Sequence, residues 1–329
     1  MRPLIDLHCH VEGTVHPELL GKLAKRNSMT IPDGLIGANG NYIWDDFSEF
    51  LKAYDAVAEM VRTQDDYRDV IFDYFTRAAK EGLIYGEVFS SPDHAARFGL
   101  SYPDLTDAIV QGLKDAEAHC GVKGRIITTC VRHLGPERAL QVARQAAQHQ
   151  HEMIVGFGMG GEERWGNLAD FASAFALARD AGLALTVHAG EICGPQSVRD
   201  ALDLLRPDRI GHGVRSVEDA DLVRRIADEG VVLEVCPGSN IALGIYPSYA
   251  KHPFETLRTA GCKLALGVDD PPFFNTRIGQ EYEQIISTFK LSETDIQAFN
   301  LGAVDAAFCD DETKSDLRAA VRSADGQPN

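Results

Sequence analysis

The chain has 329 residues, 44% hydrophobic and 25% charged, which is the globular norm and leaves room for a large core without disulfide staples. Its formal net charge of −17 disfavours nucleic acid and anionic membrane surfaces as partners, and leaves a small-molecule ligand as the expectation. The seven cysteines are odd in number and form no CxxC pair, which predicts reduced thiols. The first residues, MRPLIDLHCH, carry no apolar signal core, and no segment approaches the roughly 20 apolar residues of a membrane span. These features predict a cytoplasmic protein.

Short apolar runs alternate with longer amphipathic stretches along the chain. The predicted strands are Pro3–His8, Leu83–Ser90, Gly124–Cys130, Met153–Met159, Leu183–His188, Arg209–Gly211, Val231–Val235 and Lys263–Val268. After the first strand, Ile31–Tyr42 is rich in glycine and reads as a loop. Trp44–Val61 then sets Phe47, Leu51, Tyr54 and Val57 along one helical face, either packed on the body of the fold or walling a pocket. Leu168–Ala181, Ser197–Leu205 and Val217–Glu229 carry helical spacing, and Gly182 and Gly230 read as C-terminal stops. The tail Arg322–Asn329 is expected to fray. Eight strands alternating with helices predict a parallel sheet, either an open doubly wound one or a closed (β/α)8 TIM barrel. The expectation is one barrel domain over 1–329 with a lid-like helical insertion at about 31–65.

The unusual polar residues fall at strand ends. His8 and His10 lie at the end of the first strand, His188 ends the fifth, His212 follows the sixth, and Asp269 and Asp270 end the last. In a barrel such positions gather around one mouth, which favours closure over the open sheet. Residues two apart on a strand face the same side, so His8 and His10 can meet one ion. His188 and Asp269 complete a set of three imidazoles and a carboxylate, which suits a catalytic zinc ion. A His-x-His pair alone is a weak signal, and its weight comes from the company it keeps. Glu191, three residues after His188, is either a helix-capping loop residue or a general acid whose pKa a dry pocket raises. His212, between two glycines, is a further ligand, a core histidine or a base; an ordinary pKa near roughly 6.5 suits the last. Which of Asp269 and Asp270 faces metal and which faces substrate is open at this level. Gly156–Gly161 (GFGMGG) lacks the continuation of a phosphate loop and suits close approach to a flat ligand. The fourth strand offers no lysine for a bridging carbamate, which argues against a two-metal hydrolase.

Six segments, DLHCHVEGT (6–14), SSPDH (90–94), TVHAGE (186–191), RIGHG (209–213), CPGSN (236–240) and VDDP (268–271), together resemble the adenosine deaminase family of the amidohydrolase superfamily. The resemblance spans almost the whole chain. It implies one zinc ion per chain held by His8, His10, His188 and Asp269. It implies that Glu191 protonates ring N1, and that His212 takes the proton of the attacking water with Asp269 beside it. It implies that Asp270 meets purine N7, that the backbone of Gly161 meets N3, and that Glu12 meets the sugar side. The implied reaction is hydrolytic deamination of adenosine, and possibly deoxyadenosine, to a 6-oxopurine and ammonia. The alternatives are adenine or aminodeoxyfutalosine deamination by the same chemistry, and a purine-binding protein without catalysis.

The chain also departs from the family pattern. Gly267-Val268 stands where many members have Asn-Thr or Asn-Ser, which predicts that a hydrogen-bonding neighbour is missing beside the double aspartate. Phe89 stands where many have arginine. Glu12 replaces a common aspartate, a change more frequent in relatives acting on free adenine or on modified nucleosides. Gly211-His212-Gly213 stands where adenine deaminases often read Asp-His-Gly.

Overall fold

The computed structural model describes residues 2–323; the segment Ala324–Asn329 of the expected frayed tail lies outside the described residues. Eight parallel strands pair in chain order: β1 (Leu4–His10), β2 (Leu83–Ser90), β3 (Lys123–Val131), β4 (Ile154–Gly160), β5 (Ala184–Ala189), β6 (Arg209–His212), β7 (Val232–Val235) and β8 (Lys263–Leu266). Just past β8, a bridge between Cys9 and Asp269 closes the ring. His10 N donates to the Asp269 carbonyl (3.1 Å) and Asp269 N to the His8 carbonyl (2.9 Å). The fold is therefore a (β/α)8 barrel, and the first and last predicted site residues seal it.

The strands are nearly all buried, as expected where helices cover the outer face and side chains fill the inner one. Predicted helices differ mainly at their ends. Trp44–Val61 contracts to Phe47–Ala58 because Asp46 caps it, its side chain accepting from Glu49 N. Val217–Glu229 divides at Asp219, whose carboxylate accepts from Asp221 N and Leu222 N and starts a new helix at Ala220. Ser197–Leu205 runs as Pro195–Asp200 followed by a π-helical turn at Ala201–Leu205. No helix among the described residues is long and apolar enough to cross a membrane, and all seven cysteines are free.

Inside the barrel, below the strand ends, lies a buried ionic network. Arg209, 1% exposed, donates through Nε to Glu234 Oε1 and through Nη2 to Glu87 Oε2, both at 2.6 Å. Its Nη1 reaches the Ala306 carbonyl (3.0 Å), and the guanidinium lies 3.5 Å from the centroid of the Phe308 ring. Glu87 Oε1 also accepts from Tyr85 (2.7 Å) and from Phe308 N (2.6 Å), and Glu234 Oε1 from Thr186 (2.9 Å). Each charge is thus paired and further hydrogen-bonded, the condition for tolerable ionic burial.

A second buried carboxyl stands alone among neutral partners. Glu281 accepts from Tyr249 Oη (2.7 Å) and Gly238 N (3.0 Å), fixing the turn after β7. Burial raises its pKa to about 7, against the opposing pull of those two hydrogen bonds. The folded state therefore binds a proton here that the unfolded chain, with a value of 4.5, releases earlier. The associated stability is full below about 4.5 and is lost as the pH rises through about 7. Chemical denaturation of the Glu281→Gln variant at pH 5 and pH 8 is expected to show a smaller fall in stability between them than the parent shows. An unchanged slope counts against this account. Asp6, raised likewise to about 7 by burial, contributes a slope of the same sign that the variant keeps.

Candidate active site

The mouth of the barrel brings the predicted residues together. His8, His10, His188 and Asp269 each offer a ligand atom, and these atoms all lie within 4.8 Å of one another. A second group, Glu191, His212 and Asp269, meets the same limit, so Asp269 belongs to both. His10 Nε2 is 3.2 Å from His188 Nε2 and 3.2 Å from Asp269 Oδ1, and His8 Nε2 is 3.6 Å from the same oxygen. Nitrogens bound about 2.0–2.1 Å from a tetrahedral zinc lie roughly 3.3 Å apart, so this spacing fits one such ion.

The other ring nitrogens are held from behind. His8 Nδ1 pairs with Glu234 Oε2 (2.7 Å), and His188 Nδ1 donates to the Met159 carbonyl (2.9 Å). Each arrangement fixes the tautomer that turns a lone pair on Nε2 toward the cluster. His8 Nε2 is buried without a hydrogen-bond partner among the described residues. Burial lowers the pKa of His8, but Asp269 and Glu234 outweigh it and raise the value to about 10. The pocket thus demands positive charge at His8 Nε2, a demand that a divalent cation satisfies. These observations make the four residues a fitting metal centre.

Backbone conformation helps to aim the groups. His212 (φ +61°) and Asp269 (φ +62°) both adopt the left-handed region, which non-glycine residues seldom occupy outside constrained sites. The turn at Asp269 lets it and Asp270 face the same cavity although they are neighbours in sequence. Glycine is required beside them. A Cβ on Gly211 would come 2.9 Å from the His8 ring, and one on Gly267 would come 2.4 Å from His8 Cβ. The Gly267-Val268 departure is thus steric. Neither Gly267 nor Val268 offers Asp269 a side-chain hydrogen bond, as expected; Ser239 of the CPGSN segment, shared with the family pattern, donates to Asp269 Oδ2 at 2.6 Å.

Glu191 Oε2 lies 3.6 Å from His212 Nε2. It caps no helix; the one that follows begins after Gly194 without a side-chain cap. Burial and the carboxylate of Asp269 push its pKa well above the usual range. Asp269 moves the opposite way: burial raises it, but hydrogen bonds from His10 and His8 hold it well below the usual value. His212 departs from the sequence expectation. Burial, opposed by Asp269, brings its pKa down to about 3, so the ring is neutral at pH 7. Asn240 Nδ2 stands 3.3 Å from His212 Nδ1, and His252 Nε2 stands 3.2 Å from Asn240 Oδ1.

The cavity above the cluster is lined by His10, Glu12, Gly161, His188, Glu191, His212, Asp269 and Asp270, the predicted set apart from the deeper His8. Its outer wall is Phe47, Phe50, Leu51 and Tyr54 with Phe274, so the helical face read from the sequence does wall a pocket. Val57 of that stripe is fully buried, and Phe50 and Ala53 take the packing role. Glu12 is 1% exposed; it accepts from Tyr67 Oη (3.1 Å) and Tyr54 Oη (3.3 Å), and His94 Nδ1 lies 3.4 Å away. Phe89, in place of the family's arginine, stacks on His10 with ring centroids 5.1 Å apart. The sequence reading missed Tyr54 and Tyr67 as partners of Glu12, and Glu234, Ser239 and Asn240 as supports. Only the CPGSN segment signalled any of these.

Comparison with known proteins agrees with this geometry. The family model described as adenosine deaminase matches residues 3–324. A protein named adenine deaminase from Rhizobium leguminosarum bv. trifolii is 47% identical over 317 residues, covering 96% of this chain and 98% of the relative. One of the same name from a Chelativorans species is 48% identical over 317 residues, covering 96% and 97%. The crystal structure of an adenine deaminase from Arthrobacter aurescens superposes with a TM-score of 0.92 at 29% identity, covering 99% of this chain and 100% of that one. An amidohydrolase from Burkholderia ambifaria, solved with bound Zn, gives 0.88 at 28%, covering 98% and 90%. The chain accordingly belongs to the adenosine deaminase family of the amidohydrolase superfamily, and it is a deaminase, a hydrolase of C–N bonds in cyclic amidines.

Proposed function

We propose that the chain is a zinc-dependent adenine deaminase, converting adenine and water to hypoxanthine and ammonia. Adenosine, the leading expectation from sequence, gives way to the free base. The observation that carries this is Glu12, a buried carboxylate that lines the cavity with Asp270, backed by two tyrosine hydroxyls and His94 and set among aromatic residues. Free adenine presents an N–H at the position where adenosine carries its sugar. A carboxylate accepts that N–H, whereas in adenosine the same ring nitrogen carries no proton to donate. The name shared by relatives at 47–48% identity supports the same choice.

A zinc ion held by His8, His10, His188 and Asp269 supplies Lewis acidity that makes water nucleophilic near neutral pH. The other roles fall to the chain. Gly161 N–H and Asp270 orient the ring by N3 and N7. Glu191, buried beside His212, delivers a proton to N1 as water oxygen bonds to C6. His212, neutral and orphaned at Nε2, takes the proton that water releases. Asp269, steadied by Ser239, orients that water. His212 then passes its proton to the C6 amino group, the C6–N bond breaks and ammonia leaves; N1 keeps the proton it received, and the C6 hydroxyl returns its own proton to Glu191 as the 6-oxo group forms. A purine-binding protein without catalysis would have no use for a proton donor and acceptor set against Asp269.

The test is a spectrophotometric comparison of adenine, adenosine and deoxyadenosine with the purified chain. The kcat/KM for adenine is expected to exceed that for either nucleoside by at least about 10²-fold, the scale on which a site rejects a ligand that leaves its polar groups unpaired. Equal or faster turnover of adenosine would reverse the assignment.

A further inference from the structure

We infer that Glu163 is a positioning residue for catalysis: its buried carboxylate holds the loop that carries Glu191. The inference rests on the reading of Glu191 as proton donor. Glu163 sits in the loop after β4, 3% exposed, and is not part of the cavity lining. Its two oxygens accept four hydrogen bonds from the segment after β5. Oε1 takes Gly190 N (2.5 Å) and Ser197 Oγ (2.7 Å); Oε2 takes Ile192 N (2.7 Å) and Cys193 N (2.8 Å). The donors flank Glu191 on both sides.

The carbonyls of the same segment are taken from the other direction. Arg215 N donates to the Gly190 carbonyl (2.9 Å), and its guanidinium donates to that of Ile192. Gly190 has φ +72°, and a Cβ there would come 2.4 Å from Val198, so only glycine lets the segment pack this close to the neighbouring helix. Glu163 is itself braced, because Arg132 Nε donates to the Trp165 carbonyl (2.6 Å) within its loop.

The consequence is a coupling of two ring contacts. Gly161, assigned to N3, and Glu191, assigned to N1, lie on different loops after different strands. Glu163 is two residues from the first and bonded around the second, so it sets the distance between them. N1 and N3 flank a single carbon of the purine, and a displacement of about 1 Å between donor and ring is enough to cost about 10²-fold in rate. Such a residue changes kcat while leaving ground-state binding nearly intact.

The experiment compares the holoenzyme with Glu163→Gln, Glu163→Asp and Ser197→Ala. Glutamine places an N–H₂ against N–H donors and breaks part of the clasp. Glu163→Gln is expected to lower kcat for adenine about 30- to 100-fold with KM within about threefold and metal content unchanged. Amide hydrogen exchange over residues 190–193 is expected to quicken. Glu163→Asp, which keeps the charge on a shorter arm, is expected to recover at least about fivefold of the glutamine loss. Ser197→Ala, which removes one donor from the clasp, is expected to cost about two- to fivefold in kcat alone.

The inference is overturned if exchange over 190–193 is unchanged in Glu163→Gln, if its kcat stays within threefold of the parent, or if KM rather than kcat carries the loss. Should Glu163→Gln not fold, an unaltered kcat in Ser197→Ala overturns it instead. A parent chain inactive on adenine sinks the functional reading and leaves the exchange comparison standing. Unchanged exchange sinks this inference and leaves the functional reading untouched.

Discussion

Replacing Glu191 by glutamine is expected to lower kcat for adenine by about 10²- to 10⁴-fold, the range that a well-placed proton donor supplies. The substitution isolates the proton. Burial and Asp269 push the Glu191 carboxyl well above its usual pKa, which favours the neutral acid, and an amide of the same shape replaces that acid at little cost in packing or charge. The amide still donates a hydrogen bond toward N1 but has no proton to give up. The variant is therefore expected to keep its metal content, to unfold within a few degrees of the parent, and to bind adenine with KM within about threefold. Steady-state kinetics with metal analysis on one preparation decide the matter. Retention of more than a tenth of the parental kcat would remove Glu191 from the proposed chemistry.

Arg209→Met is expected to destabilise the fold by about 3–5 kcal/mol, the cost of breaking a buried ion pair from one side. The side chain is 1% exposed and bonded to two carboxylates that are themselves fully buried, Glu87 and Glu234. Methionine fills much of the volume but leaves Glu87 without a cation and Glu234 with His8 as its remaining basic partner. It also releases the Ala306 carbonyl, the bond that ties the C-terminal region to the barrel interior. Urea unfolding of the two proteins measures the difference. A second variant, Arg209→Met with Glu87→Gln, is expected to recover part of it, since the charge left without a cation is then gone. A loss below about 1 kcal/mol would mean that water or a rearranged partner satisfies the acids, and the network would then be weaker than its distances imply.

Much of the architecture was legible before any coordinates. The strands announced themselves because both faces are buried, so β1 through β8 read as apolar runs. The cluster was legible because His8, His10, His188 and Asp269 are polar residues at the ends of such runs, where burial alone gives no reason for them. Helix ends were less so, since an Asp219 or Asp46 cap depends on which of several acids the backbone turns toward. The supports of the site were not legible. Glu234, Ser239 and Glu163 are ordinary residues by type, and their meaning comes from partners far away in sequence, such as His8 at 2.7 Å and Asp269 at 2.6 Å. The pKa of His212 was misjudged for the same reason. The ring was read at its solution value, and only its complete burial, at 0% exposure, shows why that value falls.

The barrel closes where Asp269 bonds to the backbone of His8 and His10. During synthesis the two histidines leave the ribosome early and wait for nearly the whole polypeptide to follow. Emerging domains are made at about 5–20 residues per second, so more than ten seconds separate the first donors from the last. Nascent or truncated chains ending before β8 are left with an incomplete donor set and an unpaired sheet edge at β1. Completion of the ring and completion of the donor set are therefore one late event, and the cluster exists only once the last strand has arrived.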